Sequence, residues 1–433
     1  MGEDLRFPDA FLFGTAASAT QVEGHCAQSD WAAFAREPGR VRGGDTPDQA
    51  CDQLHRFRED VALQARLCMG AHRLSIEWAR IEREPGEFDP AGWDHYRDVL
   101  GAHREAGITP MVTVHHVTLP RWVALRGGLL SQELPALLSR FAERAVEALG
   151  DLCQLWVTIN EPNMLALQAH LLGVWPPARS SPVEAVRAHQ NLFRAHAAMY
   201  RAMHEAAGRR GHSIAVGVAH HLRVIEPERF GRLADRMWAA LFERLFNDAF
   251  ARAVCDSGLH DFFGVNYYSR DLVRFSPANA RAGFFRRLVP EGAEVSDLGW
   301  EIYPEGLGYV LDAWWPRARV PIYITENGIA DADDDQRPRF LVRHLAEVAR
   351  AIERGVDVRG YMHWSLLDSF EWAEGYAPRF GLVEVDHVTQ ERSPRPSAEL
   401  YARIARARRI DADGAASVDA MRGTSTEGSA APA

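Results

Sequence analysis

The chain has 433 residues, of which 47% are hydrophobic and 25% are charged, with a formal net charge of −10. This composition is typical of a globular protein with a large core, and it excludes a mainly disordered chain. The acidic balance also makes nucleic acids and anionic membranes poor partners, because both attract basic surfaces. The length fits either about three ordinary domains or one large α/β barrel.

The chain contains no lysine, so all 49 Lys+Arg positions are arginine. Schiff-base aldolases, pyridoxal-phosphate enzymes and Walker-type phosphate loops each depend on a lysine amine. Arginine is too basic to replace that amine as a nucleophile. The composition therefore excludes three large classes of enzyme.

The cysteines predict a reducing compartment. They are odd in number, widely spaced and without a CxxC pair: Cys26, Cys51, Cys68, Cys153 and Cys255. This pattern is typical of free thiols. The N-terminus lacks the basic and apolar regions of a secretory signal, and no stretch approaches 18 uninterrupted apolar residues. We expect a cytoplasmic protein that does not contact membranes.

Short β-branched or aromatic runs alternate with longer helical patterns from about residue 10 to about residue 410. Eight runs predict strands, at 11–15, 72–77, 109–115, 155–159, 213–219, 262–268, 321–325 and 358–366. Segments such as 54–68 and 134–149 place apolar residues at helical spacing. Eight strands, each followed by a helix, predict an α/β protein with a single (β/α)₈ TIM barrel over residues 1–410.

Two further segments have a biased composition. Residues 411–433 are rich in Ala, Gly, Ser, Thr and Asp and nearly lack large apolar residues, so we expect a disordered C-terminal tail. Residues 331–335 read Asp-Ala-Asp-Asp-Asp. We expect a solvated loop there rather than a calcium site, because the Gly and the closing Glu of an EF-hand loop are missing.

Polar residues stand at the ends of two predicted strands. The fourth strand ends in Asn160 and Glu161, and the seventh ends in Glu326 and Asn327. Active sites of such barrels lie at the C-terminal ends of the strands, so both glutamates are expected at the same mouth. Glycoside cleavage typically uses two carboxyl groups that face each other across a pocket.

The sequence resembles glycoside hydrolase family 1, the β-glucosidase-type retaining enzymes. Besides the two glutamate motifs, the resemblance rests on Phe-Pro at 7–8, Phe-Leu-Phe-Gly-Thr at 11–15, Gln-Val-Glu-Gly at 21–24, His-Arg-Leu-Ser-Ile-Glu-Trp at 72–78, Trp-Ser-Leu-Leu-Asp-Ser-Phe-Glu-Trp at 364–372 and Arg-Phe-Gly-Leu at 379–382. A single short motif is weak, but this ordered set covers the whole barrel and is specific.

The resemblance implies a double-displacement mechanism that needs no cofactor and no metal. It implies that Glu161 is the general acid/base and that Glu326 is the nucleophile. Arg73 and Tyr268 are implied to keep Glu326 ionised and oriented. The charge of Glu326 is expected to raise the pKa of Glu161, so that the acid stays protonated until cleavage.

The resemblance also implies a set of sugar-binding residues: Gln21, His116, Asn160, Trp364, Glu371 and Trp372. Asn160 is expected to bind the 2-hydroxyl, and Trp364 is expected to lie under the sugar ring. This set fits gluco- and galacto-configured sugars. A 6-phosphosugar is disfavoured, because Glu371 and Trp372 occupy the region where other members bind phosphate through Ser and Lys.

These features predict a retaining exo-β-glycosidase, chiefly a β-glucosidase with some β-galactosidase or β-fucosidase activity. Two alternatives stay open: a transglycosylase using the same site, and a weakly active sugar-binding protein on a barrel scaffold. Metal binding by the pairs His115-His116 and His220-His221 is disfavoured, because adjacent residues of a strand point to opposite faces.

The sequence departs from the family in two places. Val117 follows the histidine of the third strand, where members usually have an aromatic residue, and this predicts a thinner pocket wall. Between 233 and 263, a few tens of residues usual in the family are missing. We expect an open aglycone side, and exposed apolar surface that could host an oligomer contact or an unexpected ligand.

Overall fold

The computed structural model describes residues 4–278 and 285–411. Its central feature is a closed barrel of eight parallel strands, in which each strand pairs with the next and the last pairs with the first. The strands are β1 Leu12–Ala16, β2 Ala71–Ser75, β3 Thr109–His115, β4 Leu155–Asn160, β5 Ala215–Pro227, β6 Phe262–Phe275, β7 Ile322–Asn327 and β8 Val358–Trp364. The predicted (β/α)₈ barrel is confirmed.

Helices follow the strands and surround the barrel. The longer ones are α1 Gln53–Arg66, α2 Pro90–Glu105, α3 Leu134–Leu149, α4 Pro182–Arg210, α5 Leu233–Glu243, α6 Ala249–Ser257, α7 Pro304–Ala318, α8 Arg337–Glu353 and α9 Pro396–Ala407. A π-helical turn, Arg244–Asp248, joins α5 to α6. Within the described ranges, no helix is long and apolar enough to cross a membrane.

Short elements decorate this frame. Short helices lie at Ala19–Val22, Asp30–Ala35, Trp78–Ile81, Arg121–Leu125 and Pro162–Ala166, and single turns lie at Arg42–Gly44, Gly128–Leu130, Leu167–Leu171 and Trp372–Glu374. Three small antiparallel pairs join Leu5–Arg6 to Arg409–Ile410, Glu82–Glu84 to Glu87–Phe88, and Val383–Val385 to Arg392–Pro394. The first of these pairs ties the two ends of the described chain together.

Local sequence explains the helix boundaries. In α4, the Ser181 side chain accepts a hydrogen bond from the Glu184 N–H, Pro182 occupies the first turn, and Gly211 ends the helix with φ +70°. In α3, an apolar stripe faces the sheet and is fully buried: Leu134, Leu138, Phe141, Ala145 and Leu149. Burial of such a stripe, rather than helix propensity alone, holds each helix on the barrel.

The acidic run at 331–335 is solvated only in part, with Ala332, Asp333 and Asp335 exposed. Asp331 and Asp334 are both buried. Asp331 Oδ2 accepts the backbone N–H groups of Gln336 and Arg337 where α8 begins, and Asp334 Oδ2 accepts the N–H of Ser397 where α9 begins. The run therefore caps two helices, and the expectation of full solvation is wrong. The predicted tail at 411–433 lies outside the described residues, except for Asp411.

Strands β5 and β6 extend beyond the barrel wall. Their outer parts pair with each other up to Pro227 and Val273, and a short strand, Phe285–Leu288, pairs antiparallel with the end of β6. The neighbouring helical segment leaves a row of large apolar side chains exposed: Leu233, Met237, Leu241 and Leu245. Apolar side chains are thus exposed in the region where this was predicted, whereas the absence of residues that cover them in other family members stays a prediction.

Candidate active site

Glu161 lies at the mouth of the barrel, directly after β4. Its backbone has φ +47°, and its N–H donates to the Ala219 carbonyl of β5 at 2.8 Å. Pro162 disfavours the right-handed helical region for the residue before it, and Glu161 adopts the left-handed region instead. Strained backbone of this kind is typical of functional sites. The side chain is almost fully buried.

Glu326 lies on β7 and is held by two donors. Arg73 of β2 donates from Nη1 to Glu326 Oε1 at 2.5 Å, and the Tyr268 hydroxyl donates to Oε2 at 2.7 Å. All three side chains are buried, and Arg73 is not exposed at all. Both bonds favour the ionised form of Glu326, as was expected of these two residues.

Two asparagines connect the glutamates. Asn160 Oδ1 accepts from Arg73 Nη2 at 2.7 Å and from Asn266 Nδ2 at 3.1 Å. Asn266 Nδ2 also donates to Glu161 Oε1 at 3.0 Å. Glu161 and Glu326 therefore belong to one hydrogen-bond network, to which β2, β4, β6 and β7 each contribute side chains.

The pKa values of the two carboxyl groups shift in opposite directions. Burial raises the pKa of Glu326 to about 7, with Arg73 opposing this rise and Glu161 adding to it. Burial also acts upward on Glu161, but interactions with His221 and Asn266 hold the pKa of Glu161 below its ordinary value. The expectation that the pKa of Glu161 is raised is therefore wrong in its net direction, because it omitted the contact with His221.

His116 has a buried donor without a partner among the described residues. The Asn160 oxygen accepts two hydrogen bonds, so the Asn160 amide nitrogen is the group that contacts His116 Nε2, at 3.1 Å. His116 therefore carries its proton on Nδ1, which has no hydrogen-bond partner among the described residues. Burial, followed by the charge of Arg73, holds the pKa of His116 well below its usual value. A neutral imidazole with a buried, unpaired N–H suits a sugar hydroxyl.

Gln21 and Glu371 meet at the loop after β8. Gln21 Nε2 donates to the Phe370 carbonyl at 2.8 Å, next to Glu371 in the chain. Glu371 Oε1 accepts from the Ser369 hydroxyl at 2.9 Å. Burial raises the pKa of Glu371 to about 8, and the charge of Glu326 acts in the same direction. This upward shift favours the protonated form of Glu371, which offers a donor as well as an acceptor.

Aromatic rings form the remaining wall. The rings of Trp364 and Trp372 lie 5.9 Å and 6.5 Å from the ring of His116. Trp372 also packs against Trp31 and Trp175, with centroids 4.8 Å and 5.8 Å away. The structure thus brings the predicted sugar-binding residues to one end of the barrel and adds two tryptophans that sequence reasoning did not select.

Val117 follows β3 in an unusual conformation. Its φ of +72° is rare for a β-branched residue, and its side chain is buried in the core. The next residue, Thr118, donates from its hydroxyl to Glu77 Oε2 at 3.0 Å. The segment is therefore anchored away from solvent, and the thinner pocket wall stays a prediction.

Sequence reasoning missed a histidine that contacts Glu161. His221 Nδ1 lies 2.8 Å from Glu161 Oε1, and Arg223 Nε donates to His221 Nε2 at 2.9 Å. His220 points the other way, towards the Asn247 carbonyl, as the alternation of a strand requires. The same alternation places His221 and Arg223 on one face of the fifth strand, but it does not distinguish a ligand of Glu161 from a buried packing residue.

One group of described residues has the composition of a metal site. His25 Nε2 and His55 Nδ1 lie 2.8 Å and 2.6 Å from the same oxygen of Asp52. Hydrogen bonds between these side chains account for the arrangement without an ion. The neighbouring histidines at 115–116 and 220–221 do not form such a group within the described chain.

Comparison with known proteins places these side chains in a family. The profile described as "Glycosyl hydrolase family 1" matches residues 3–258 and 250–410. The chain belongs to glycosyl hydrolase family 1. This confirms the resemblance inferred from the motifs, and it makes the protein a glycosyl hydrolase.

Individual relatives agree with this assignment. The chain is 34% identical to "Beta-glucosidase A" of Thermotoga maritima, over 92% of this chain and 97% of that protein. It is 33% identical to "Bifunctional beta-D-glucosidase/beta-D-fucosidase" of Bifidobacterium breve, over 92% and 98%. Among solved structures, "beta-glycosidase from Pyrococcus horikoshii" superimposes with a TM-score of 0.89 at 36% identity, covering 96% of this chain and 98% of that one.

Proposed function

We propose that this family 1 protein is a retaining exo-β-glycosidase, chiefly a β-glucosidase, that cleaves β-glycosides by double displacement. The observation that carries the proposal is the buried pair of Glu161 and Glu326, joined by one network and held in different environments. Glu326 contacts a cation and a hydroxyl, whereas Glu161 contacts neutral donors. Different environments for two carboxyl groups are what separate a nucleophile from an acid/base.

In the first step, the Glu326 carboxylate attacks the anomeric carbon while Glu161 transfers its proton to the departing glycosidic oxygen. The glycosidic bond breaks and a glycosyl ester with Glu326 forms. In the second step, Glu161, now a carboxylate, takes a proton from water, whose oxygen attacks the anomeric carbon. The ester bond breaks, Glu326 returns to its ionised form, and the sugar leaves with its β configuration.

In the productive form, Glu161 carries a proton and Glu326 is ionised. Arg73 and Tyr268 both donate to Glu326, and each of these bonds is stronger when Glu326 is ionised. Asn160 lies between the two carboxyls and is proposed to bind the 2-hydroxyl. Such a contact strengthens as the sugar acquires positive charge in the transition state.

We propose that the remaining sugar contacts come from Gln21, His116, Trp364, Glu371 and Trp372. Their donors and acceptors fit the equatorial hydroxyls of glucose, and the indole rings fit the apolar faces of the sugar. The Bifidobacterium relative is named for both glucosidase and fucosidase activity. This similarity supports some activity on β-fucosides beside the β-glucosidase activity, and we propose some activity on β-galactosides as well.

The two alternatives are not favoured. A sugar-binding protein does not require both carboxyls, yet this chain keeps Glu161 and Glu326 with the arginine and tyrosine that hold them. Transglycosylation uses the same intermediate, and it requires an acceptor sugar to compete with water. Nothing in the described residues favours such an acceptor over water.

The test is release of p-nitrophenol from the β-glucoside and the β-galactoside by the wild type, Glu326→Ala and Glu161→Ala, with and without azide. We expect an active wild type and two strongly impaired variants. Azide should rescue Glu326→Ala with an α-glycosyl azide product, and Glu161→Ala with a β-glycosyl azide product. A wild type that binds both sugars without cleaving either would reject the proposal.

We further propose that residues 1–410 form one catalytic unit and that it works in the cytoplasm. The family match up to residue 410 supports the first statement. Five cysteines that are all free support the second, because proteins of oxidising compartments usually pair their cysteines. Cell fractionation with thiol titration tests the compartment, and a periplasmic or secreted enzyme would contradict it.

A further inference from the structure

The two carboxyl oxygens of Glu161, the proposed acid/base, differ in their hydrogen-bond partners. Oε1 faces two donors, His221 Nδ1 at 2.8 Å and Asn266 Nδ2 at 3.0 Å. The orientation of the Asn266 amide is fixed, because its oxygen accepts from the Thr325 hydroxyl at 2.6 Å. A carboxyl oxygen that accepts two hydrogen bonds is a poor place for a proton. The proton of Glu161 therefore belongs on Oε2.

The donor role of His221 depends on its neighbour. Arginine has no acceptor atoms, so the contact of 2.9 Å between Arg223 Nε and His221 Nε2 requires a lone pair on Nε2. The imidazole must then carry its single proton on Nδ1, which faces Glu161. Arg223 is itself fixed by Asp271 Oδ2 at 2.9 Å, and its guanidinium lies 5.4 Å from the ring centroid of Phe246.

We propose that His221 and Arg223 are positioning residues that direct the catalytic proton of Glu161 to Oε2, the oxygen that delivers it to the leaving group. This inference rests on the proposed function, since it needs Glu161 as the acid/base. Arg223 keeps His221 a neutral donor, and His221 keeps the proton off Oε1. Neither residue touches the reacting atoms.

The charge state of His221 matters, because a second proton on His221 would be the proton that Glu161 has to deliver to the leaving group. Burial lowers the pKa of His221, Glu161 opposes that effect, and Arg223 adds to it. The other titratable groups that act on Glu161 are Glu326, Tyr268 and His220. Of these groups, only His221 contacts Oε1 directly, so it is the group to change.

The decisive comparison is His221→Leu against His221→Asn. Asparagine places an N–H₂ group near the position of Nδ1 and keeps the donor, whereas leucine removes it. For His221→Leu, we expect the basic limb of kcat/KM to move up by about 0.5–1 pH unit, because loss of a donor to the ionised form raises the pKa of Glu161. For His221→Asn, the limb should stay where it is in the wild type.

Leaving groups provide a second readout. A 2,4-dinitrophenyl glucoside needs almost no proton from the enzyme, whereas an alkyl glucoside depends on it. We expect His221→Leu to lose about 10- to 100-fold more kcat/KM on the alkyl glucoside than on the dinitrophenyl glucoside. This difference corresponds to part of the rate enhancement that a general acid usually contributes. Equal losses on both substrates with an unmoved basic limb would show that His221 is merely structural.

Arg223→Met tests the tautomer. Without Arg223, His221 Nε2 is free to bind a proton, and we expect the same selective loss on the alkyl glucoside. Arg317→Met, at an exposed site on α7, is the matched control and should show no such selectivity. Thermal unfolding of each variant verifies the fold, and His221→Asn keeps the test decisive if His221→Leu does not fold. An inactive wild type would reject the proposed function itself, whereas an active wild type with unselective variants rejects this inference alone.

Discussion

At the scale of single residues, the site depends on hydrogen bonds that fix the charge of each carboxyl group. Arg73 contacts both Glu326 and Asn160, so one buried guanidinium orients the proposed nucleophile and the proposed 2-hydroxyl ligand together. Arginine suits this position, because its planar guanidinium group can donate to two acceptors at once and stays charged in proteins. Lysine would provide neither property.

The Tyr268 hydroxyl gives a clean test of how Glu326 is kept ionised. Tyr268→Phe keeps the ring but removes the donor that lies 2.7 Å from Glu326 Oε2. A hydrogen bond to a charged group contributes about 1.5–3 kcal/mol, so kcat/KM should fall by about 10- to 100-fold. The pKa of Glu326 should rise, which moves the acidic limb of kcat/KM to higher pH.

The control for this variant is Tyr323→Phe, which removes a tyrosine hydroxyl near the other end of the barrel, at the start of β7. It should leave both the rate and the acidic limb unchanged. An acidic limb that stays in place in Tyr268→Phe would contradict the assigned role.

Glu371 is expected to lower the free energy of unfolding at neutral and alkaline pH while it serves the sugar site. Burial raises the pKa of Glu371 to about 8 in the folded protein, from an ordinary value of 4.5. The unfolded chain therefore loses this proton at lower pH than the folded protein does. Glu371 contributes no destabilisation below pH 4.5, and a growing one as the pH rises from 4.5 towards 8.

Replacement by a neutral isostere should relieve this destabilisation. We expect Glu371→Gln to raise the melting temperature by a few degrees at pH 8, with little change at pH 4.5, while its β-glucosidase activity falls. Calorimetry at both pH values measures this, with the exposed Glu374→Gln as the control. A Glu371→Gln variant that is no more stable than the wild type at pH 8 would contradict the burial argument.

The sequence predicted which residues meet in this site but not all of their partners. Glu161, Glu326 and Arg73 follow from strand ends and from the resemblance to a family. His221 does not, because a histidine on a strand has no signature that separates a ligand of Glu161 from a buried packing residue. Its role depends on the tautomer, which Arg223 sets through a contact visible only in three dimensions.

At the scale of elements, the predicted strands are recovered with small shifts at their ends, except that β5 and β6 are much longer than predicted. Their outer residues, such as Val224 and Arg270, pair with each other outside the barrel. The alternation of apolar residues weakens there, because these parts are only partly buried, and sequence alone gave no reason to extend them. Buried carboxylates such as Asp331 escaped prediction for a related reason, since an acidic run normally indicates solvent.

The turn between α5 and α6 separates an exposed face from a buried one within two residues. Leu245 is 56% exposed, whereas Phe246 is 4% exposed and its ring centroid lies 5.6 Å from that of His221. Leu245→Ala should change the free energy of unfolding by less than about 0.5 kcal/mol. Phe246→Ala should cost about 3–5 kcal/mol, because it leaves a cavity in the core.

Urea unfolding of the two alanine variants makes this comparison, and each variant is the control for the other. Similar destabilisation by both would mean that Leu245 is covered in solution, for example by a second copy of the chain. Phe246→Ala should also weaken acid catalysis, since Phe246 packs against His221 and Arg223.

At the scale of the whole molecule, arginine is the cation of the buried ion pairs, since the chain has no lysine. Several arginines are buried with carboxylate partners: Arg73 with Glu326, Arg80 with Glu23, Arg392 with Asp60 and Arg395 with Asp368. Removing one member of such a pair leaves an unpaired buried charge, which is strongly destabilising. The eight-fold rhythm of strands and helices predicted the barrel, whereas these pairings join residues far apart in sequence and could not be predicted.

The two ends of the described chain contact each other next to the start of β1. Truncation tests how much these contacts contribute to stability. Leu5 pairs with Ile410, the Phe7 N–H donates to the Arg408 carbonyl at 2.9 Å, and Arg408 Nη1 donates to the Phe11 carbonyl at 2.8 Å. A chain ending at Asp411 keeps all of these contacts. We expect it to match the full chain in melting temperature and in kcat/KM, because residues 412–433 carry too few large apolar side chains to add a core.

A chain ending at Ala407 loses the strand pair, the three hydrogen bonds of Arg408 and the burial of Ile410, which is 4% exposed in the structure. We expect its melting temperature to fall by several degrees while kcat/KM at 25 °C stays close to that of the full chain, since the catalytic pair lies at the opposite end of the barrel. Differential scanning calorimetry of the three chains measures the effect. A drop in stability already in the chain ending at Asp411 would show that the tail packs against the barrel, and would reject its predicted disorder.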